Sequence, residues 1–354
     1  MIDLALQRYA FYALAAAALF GVSTPLAKWL LGAVSPVVLA GLLYLGSGLA
    51  LGAYAVGRRS VSRRKPASEP RLAGRDWAWL AGAVLTGGAV APVLLMWGLS
   101  GTTAGAASLL LNTEGVLTIL LAGALFREAI GRRVAGAALI MLCAGVLLAW
   151  SNDAALGFSW HALAIAGACL GWALDNNFTR NIAAADPVVV AMTKGLAAGS
   201  VNLALGLATG GAVPALAPFA VALAVGALSY GVSLVLFIVA LRHLGAARTA
   251  AHFGTAPFIG AVAAVIVLGE PVTAQLAAAF AMMAAATWLV LTERHGHTHT
   301  HERLVHSHRH VHDEHHRHSH DGSEGVEPHT HSHAHEPMTH AHAHLPDIHH
   351  RHDH

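Results

Sequence analysis

The chain has 354 residues, of which 55% are apolar and only 11% charged, and its mean hydropathy is +0.56. A soluble globular domain carries about 25% charged residues, so the composition excludes a purely soluble protein. The formal net charge of +2 averages two unlike regions and marks no partner: of 26 histidines, only His161, His243 and His252 precede residue 293.

Crossing the hydrocarbon core takes about 20 mostly apolar residues. Runs of that size recur at 10–28, 35–56, 77–98, 102–125, 133–150, 160–178, 187–209, 214–241, 246–268 and 273–292. The first is followed by further spans, so it reads as a retained span rather than a cleaved signal. Backbone groups facing lipid must pair within their own segment, which makes these runs helices. They are rich in Ala and Gly, as suits closely packed helices, and Gly48 and Gly52 form a GxxxG pair in span 2. Cys143 and Cys169 both lie in apolar runs, where a disulfide framework is not expected.

Loop charges give an orientation. Arg58, Arg59, Arg63, Arg64, Lys65, Arg71 and Arg75 follow span 2, and Arg127, Arg132 and Arg133 follow span 4. Arg180 follows span 6, and Arg242 and Arg248 lie between spans 8 and 9. The connections at 99–101, 151–159, 210–213 and 269–272 have no Lys or Arg. Positive loops stay cytoplasmic, so a multi-pass protein of the cytoplasmic (inner) membrane is expected, with both termini inside.

The two halves resemble each other. An offset of 142 places Glu128 on Glu270 and Thr113 on Thr255, and an offset of 151 places Pro36-Val37-Val38 on Pro187-Val188-Val189. Five spans per half is odd, so the second half runs inverted, a recurring plan of secondary transporters with the site between repeats. The fold class expected is therefore all-α integral membrane, with about ten transmembrane helices as two inverted five-helix repeats, plus a disordered His-rich tail. The domains are 1–150, the first repeat; 151–292, the second inverted repeat; and 293–354, the cytoplasmic tail.

The stretch ASLLLNTEGVLT from Ala107, the LFRE ending at Glu128 with the Gly136 helix after it, and the LGEPVT from Leu268 resemble the EamA-type drug/metabolite transporter pattern. The resemblance covers about residues 10–292 and implies a ten-helix secondary transporter of small metabolites, amino acids or drugs, often outward. Gly115 stands where that family often has Pro, so a milder helix break is expected there.

Ionisable groups deep in a bilayer usually face a cavity or a partner. Glu114 in span 4, Asp175 in span 6 and Lys194 in span 7 are such groups, and two readings stand side by side. They line a transport cavity in which a carboxylate exchanges a proton for substrate, or Lys194 and a carboxylate form a structural pair. Asn112, Asn176 and Asn177 add amides at similar depths, as cavity ligands or as interhelical bonds. His252 in span 9 is either a titrating cavity group or a core histidine with a satisfied hydrogen bond. Lys28 ends span 1, where snorkelling is expected, and Pro257 is expected to bend span 9. No phosphate loop, ATP-binding motif or nucleophile–base constellation is present, so no enzyme and no required cofactor are expected.

From Glu293 the chain has few large apolar side chains and no helical periodicity, which predicts disorder for the tail alone. It is also duplicated. At an offset of 34, His295, His297, His299, His301, His306, His308, His310, His315, His316, His318 and His320 meet His329, His331, His333, His335, His340, His342, His344, His349, His350, His352 and His354. His312 meets Pro346. The dominant spacing is His-x-His, which puts two imidazoles on one side of an extended chain, about 6.5 Å apart. Imidazole suits Zn, Ni, Co or Cu, and binding weakens below about pH 6 as histidine protonates. A pH-responsive polycation is the other reading of the same residues.

Three functions are thus in view: a small-solute transporter with a metal-responsive tail, a divalent-metal exporter whose tail collects cargo, and a membrane-anchored metal sensor. The partners expected are the lipid bilayer, a small-molecule solute and transition-metal ions, with a homodimer left open and no nucleic acid.

Overall fold

Inside a bilayer the backbone has no water to pair with, and the apolar runs accordingly fold as helices. The computed structural model describes residues 4–61, 74, 76–126, 131–150, 158–182, 185–244, 246–292, 296–301, 304–310, 329–335 and 338–343. The first half holds α1 (Leu4–Leu30), α2 (Pro36–Val61), α3 (Asp76–Ala83), a π-helical segment at Val84–Val90, α4 (Ala91–Ser100), α5 (Ala104–Leu110), α6 (Thr113–Phe126) and α7 (Arg132–Ala149). The second holds α8 (Trp160–Arg180), α9 (Pro187–Ala208), α10 (Leu216–Val225), a π-helical segment at Gly226–Val232, α11 (Ser233–Leu244), α12 (Ala246–Phe253), α13 (Ala256–Leu268) and α14 (Ala274–Leu291).

Spans 3 and 8 run through their π-helical segments, and spans 4 and 9 are broken between α5 and α6 and between α12 and α13. Among the described residues, nine spans are long and apolar enough to cross a membrane. The tenth, α8, is 21 residues long but carries Asp175, Asn176 and Asn177 in its second half, which lowers its mean hydropathy. The fold is an all-α membrane bundle of two inverted five-helix repeats.

The inversion is written in the packing. Helix α1 packs on α11 and α13, while its counterpart α8 packs on α4 and α6; α2 runs along α9, and α7 along α14. The α2–α9 seam repeats itself residue by residue. A Cβ on Gly48 would stand 2.7 Å from Leu196 N, and a Cβ on Gly199 would stand 2.6 Å from Leu45 N. The 151 offset turns one contact into the other. It also turns the contact of Gly41 with Leu203 into that of Met192 with Gly52. Glycine is required at 48 and 199 because the facing backbone occupies the place of a side chain. A Cβ on Gly52 would meet only Met192 Sδ, at 3.6 Å, so the GxxxG pair read from the sequence works through Gly48, not through both members.

The π-helical segments Val84–Val90 and Gly226–Val232 are related by the 142 offset. So are the two breaks. Thr113 Oγ1 donates to Leu110 O at 2.7 Å, and Thr255 Oγ1 donates to His252 O at 2.6 Å. Each hydroxyl thereby pairs a carbonyl at the break. Pro257 lies in the first turn of α13, as the sequence predicts. The break at Leu111-Asn112 forms without proline, so Gly115 does not soften it into a continuous helix.

Residues Thr292–His354 form a separate unit. Its described segments are β1 (Gly296–His301), β2 (Leu304–His310), β3 (His329–His335) and β4 (Met338–Ala343). Strand β1 pairs antiparallel with β4, and β2 with β3. Backbone ladders need no apolar core to define them, but a two-stranded ribbon by itself is marginal in water. The described tail segments are thus paired strands, where the sequence predicts disorder for the tail alone.

Candidate functional site

Helices α8 and α9 carry the charges. Lys194 Nζ donates to Asp175 Oδ2 at 2.5 Å, with the carboxylate side chain 4% exposed and the ammonium side chain 22% exposed. Thr179 Oγ1, one turn along α8, donates to Asp175 Oδ1 at 3.1 Å. The carboxylate fits because Gly87 lies opposite: a Cβ there would stand 2.1 Å from Asp175 Oδ2. Of the two sequence readings for Lys194, the pair with a carboxylate is thus formed, and its partner is Asp175 rather than Glu114.

Gly87 belongs to the first π-helical segment, and side chains of neighbouring helices donate to its carbonyls. Gly87 O accepts from Tyr44 Oη at 2.7 Å and from Trp172 Nε1 at 2.9 Å. Asn202 Nδ2 donates to Gly88 O and Ala89 O, each at 3.2 Å. Three consecutive carbonyls are held by side chains of α2, α8 and α9, which fixes the segment against the Asp175–Lys194 pair. Sequence reading missed Tyr44, Trp172 and Asn202. Asn202, a lone amide within an apolar run, was the legible signal among them.

Glu114 sits just past the break in span 4. Its Oε1 accepts from Asn176 Nδ2 at 2.9 Å, and the same amide reaches Thr118 Oγ1 at 3.3 Å. Asp175 and Lys194 lie within electrostatic reach of it. Glu114, Asn176, Asp175 and Lys194 therefore form one polar cluster across α6, α8 and α9. The other candidates do not join it by the bonds they make. Asn112 Nδ2 lies 3.8 Å from Met283 Sδ of α14. Asn177 Nδ2 donates to Ala173 O at 2.8 Å within α8 and reaches Thr118 O of α6 at 3.4 Å. His252 Nδ1 is 2.6 Å from Arg248 O within its own helix.

The opposite end of span 4 has its own clamp. Glu270 accepts from Ala104 N at 2.6 Å and Gly105 N at 2.8 Å, a carboxylate on the first amides of α5. Lys28 Nζ donates to Leu99 O at 2.7 Å and Ser100 O at 3.2 Å at the end of α4. Lys28 thus caps the carbonyl end of α4, beside the 99–101 connection, where a cation is favoured. Glu128, the sequence counterpart of Glu270, lies outside the described residues.

Within the bundle, among the described residues, no three His, Cys, Asp or Glu side chains gather as a metal site. Cys143 and Cys169 are free. Of the tail's metal-ligand candidates, His297, His299, His301, His306, His308, His310, His329, His331, His333, His335, His340 and His342 fall on the strands. His295, His315, His316, His318, His320, His344, His349, His350, His352 and His354 lie outside the described residues.

Inverted five-helix repeats are a recurring plan of polytopic transporters. The EamA-like transporter family matches residues 7–151 and 159–292. The chain belongs to that family. A curated relative from Methanothermobacter thermautotrophicus, described as an uncharacterized transporter, is 30% identical over 266 residues, covering 71% of this chain and 77% of its own. A solved crystal structure superposes with a TM-score of 0.56 at 19% identity, over 80% of this chain and 95% of its own. That likeness supports the fold.

Proposed function

We propose that the chain is a secondary transporter that exports a small metabolite, amino acid or drug-like solute across the cytoplasmic membrane, with both termini inside. Glu114 is the exchanging group in this reading. One observation carries it: Glu114 bonds to a neutral amide, whereas Asp175 has Lys194 as its counter-ion. A carboxylate at membrane depth without its own cation has to be satisfied by a proton, a cation or a substrate group. The Asp175–Lys194 pair and the clamped carbonyls of Gly87, Gly88 and Ala89 form the fixed wall against which it works. The tail binds Zn, Ni, Co or Cu and regulates or buffers.

The test is export from loaded cells or vesicles by Glu114→Gln. Inserted, monodisperse protein with solute export lost supports the reading; unchanged export sinks it. The tail's histidines favour one second reading, a divalent-metal exporter whose tail collects cargo. A chain ended after Glu293 separates the two. Under the first reading it still exports its solute and loses only the dependence on added metal. Under the second, cytoplasmic zinc, nickel or cobalt builds up.

A further inference from the structure

The two tail ladders share one register. In β1–β4, His297 is opposite His342 and His299 opposite His340; in β2–β3, His306 is opposite His333, His308 opposite His331, and His310 opposite His329. The 34-residue offset carries β1 onto β3, and β2 onto β4 save for the last residue of β2. The pair His297–His342 thereby becomes His331–His308, and His299–His340 becomes His333–His306. The two ladders are one interaction formed twice. In both of them a strand from the first copy of the duplication pairs with a strand from the second.

Residues two apart on a strand share a face, and so do residues directly opposite on its antiparallel neighbour. His297, His299, His340 and His342 therefore occupy one face of β1–β4. His306, His308, His310, His329, His331 and His333 occupy one face of β2–β3. Neighbours across the ladder are about 4.5–5.5 Å apart at Cβ, and neighbours along it about 6.5–7 Å. Zinc and cobalt take four such nitrogen ligands, and each ladder brings at least four histidine positions to one face. The other face carries pairs such as Thr298–Ala341 and Ser307–Ser332, too small to hold two strands together by apolar burial.

We propose that the tail binds its transition-metal ions between the two copies of the duplication. One site forms at His297, His299, His340 and His342, and an equivalent one at the histidine pairs of β2–β3. Each copy alone supplies half-sites, and the metal is what holds the ribbon closed. A within-copy arrangement needs only His-x-His and a turn and gives the second copy no role in the first copy's sites. The sharing rests on the reading of the tail as metal-binding.

The experiment counts tightly held zinc or cobalt on the full chain in detergent at pH 7.5 by equilibrium dialysis. Three substitution sets are combined in pairs: His297→Ala with His299→Ala; His340→Ala with His342→Ala; and His306→Ala with His308→Ala and His310→Ala. The first and second sets each remove about one ion, since a four-nitrogen site is lost with half its ligands, and together they remove no more than either alone. The first and third sets, although in one copy, add. Losses that add between the first and second sets, with the first and third overlapping, overturn the sharing while leaving a metal-binding tail. An unsubstituted chain that retains no ion overturns the tail reading itself.

Discussion

In the first repeat, Gly87 leaves room beside a π-helical segment for the Asp175 carboxylate, and Tyr44, Trp172 and Asn202 hold the carbonyls around it. In the second, the position 142 residues on is Ser229, and its neighbour Tyr230 meets aromatic rings, Phe20 at 5.7 Å and Tyr44 at 6.2 Å between centroids. The bends, the breaks and the close glycine contacts occur in both repeats. Among the described residues the buried Asp175–Lys194 pair has no counterpart in the other repeat. Backbone devices follow the duplicated fold and so recur in both repeats, whereas a charge pair depends on single side-chain positions that the second copy need not keep.

The largest test of that division is at the charges. Asp175→Asn leaves Lys194 without its counter-ion, and breaking a buried pair from one side costs about 3–5 kcal/mol, toward the lower figure here because the Lys194 side chain is 22% exposed. The yield of inserted, monodisperse protein should fall sharply and recover when Lys194→Met is added. Gly87→Ala should mimic it by displacing the carboxylate, while Ser229→Ala at the mirror position should cost about 1 kcal/mol or less. Equal losses at 87 and 229 would erase the asymmetry.

Next in size are the reciprocal glycines. Gly199→Val and Gly48→Val each force a side chain onto the partner's backbone, and overpacking of this kind costs about 1–3 kcal/mol. The two should lower the thermal stability of the purified bundle alike, whereas Gly115→Ala, with no atom within 4 Å of the added carbon, should not. A Gly48 variant that is tolerated beside a Gly199 variant that is not would break the seam's two-fold character.

How much of this was legible follows the range of each signal. Spans, inversion and the Thr113–Thr255 equivalence are local patterns of apolarity, charge and identity, and they were readable along the chain. Asp175, Glu114 and Lys194 stood out because a charge in an apolar run is conspicuous. Which carboxylate Lys194 meets depends on how α8 and α9 are rotated against the first π-helical segment, and no spacing encodes that. Tyr44 and Trp172 look like ordinary apolar residues until the Gly87 carbonyl is found opposite them. Asn112 and Asn176 read alike in sequence, yet the turn at Leu111-Asn112 directs one to Met283 and leaves Glu114 to the other.

A smaller effect separates the breaks. Thr113→Val and Thr255→Val keep the side-chain shape and remove the hydroxyl that pairs a carbonyl, a change of about 0.5–1.5 kcal/mol. Equal small drops in melting temperature are expected, since each threonine makes the same bond to the residue three before it. If only one variant loses stability, the breaks are not equivalent and the likeness of the repeats stops at their backbone trace.

The smallest effect lies at the end of the α2–α9 seam that bears Arg58. Arg58 donates to Asp186 there, and Asp186 Oδ1 also accepts from Val188 N at 2.8 Å as the cap of α9. The 151 offset puts Ser35, a neutral residue, at the mirror position. Burial alone pushes the Asp186 carboxyl up, but the bond from Arg58, the amides of Val188 and Val189, and the guanidinium charge hold it below the usual carboxylate range. A depressed folded-state pKa means that the stabilisation is complete above the ordinary value of about 3.9 and is lost as pH falls through the lower folded value. Partial exposure keeps the pair small, about 0.2–1 kcal/mol. Asp186→Asn and Arg58→Met should therefore lower the melting temperature slightly and equally from about pH 5 to 8, with no further loss when combined. The difference from the unsubstituted chain should shrink in acid, below the ordinary carboxylate range, where the native carboxylate also takes up its proton. A difference that grows in acid would mean that Asp186 is held protonated rather than paired, and the ionic end of the seam would then match its neutral mirror at Ser35.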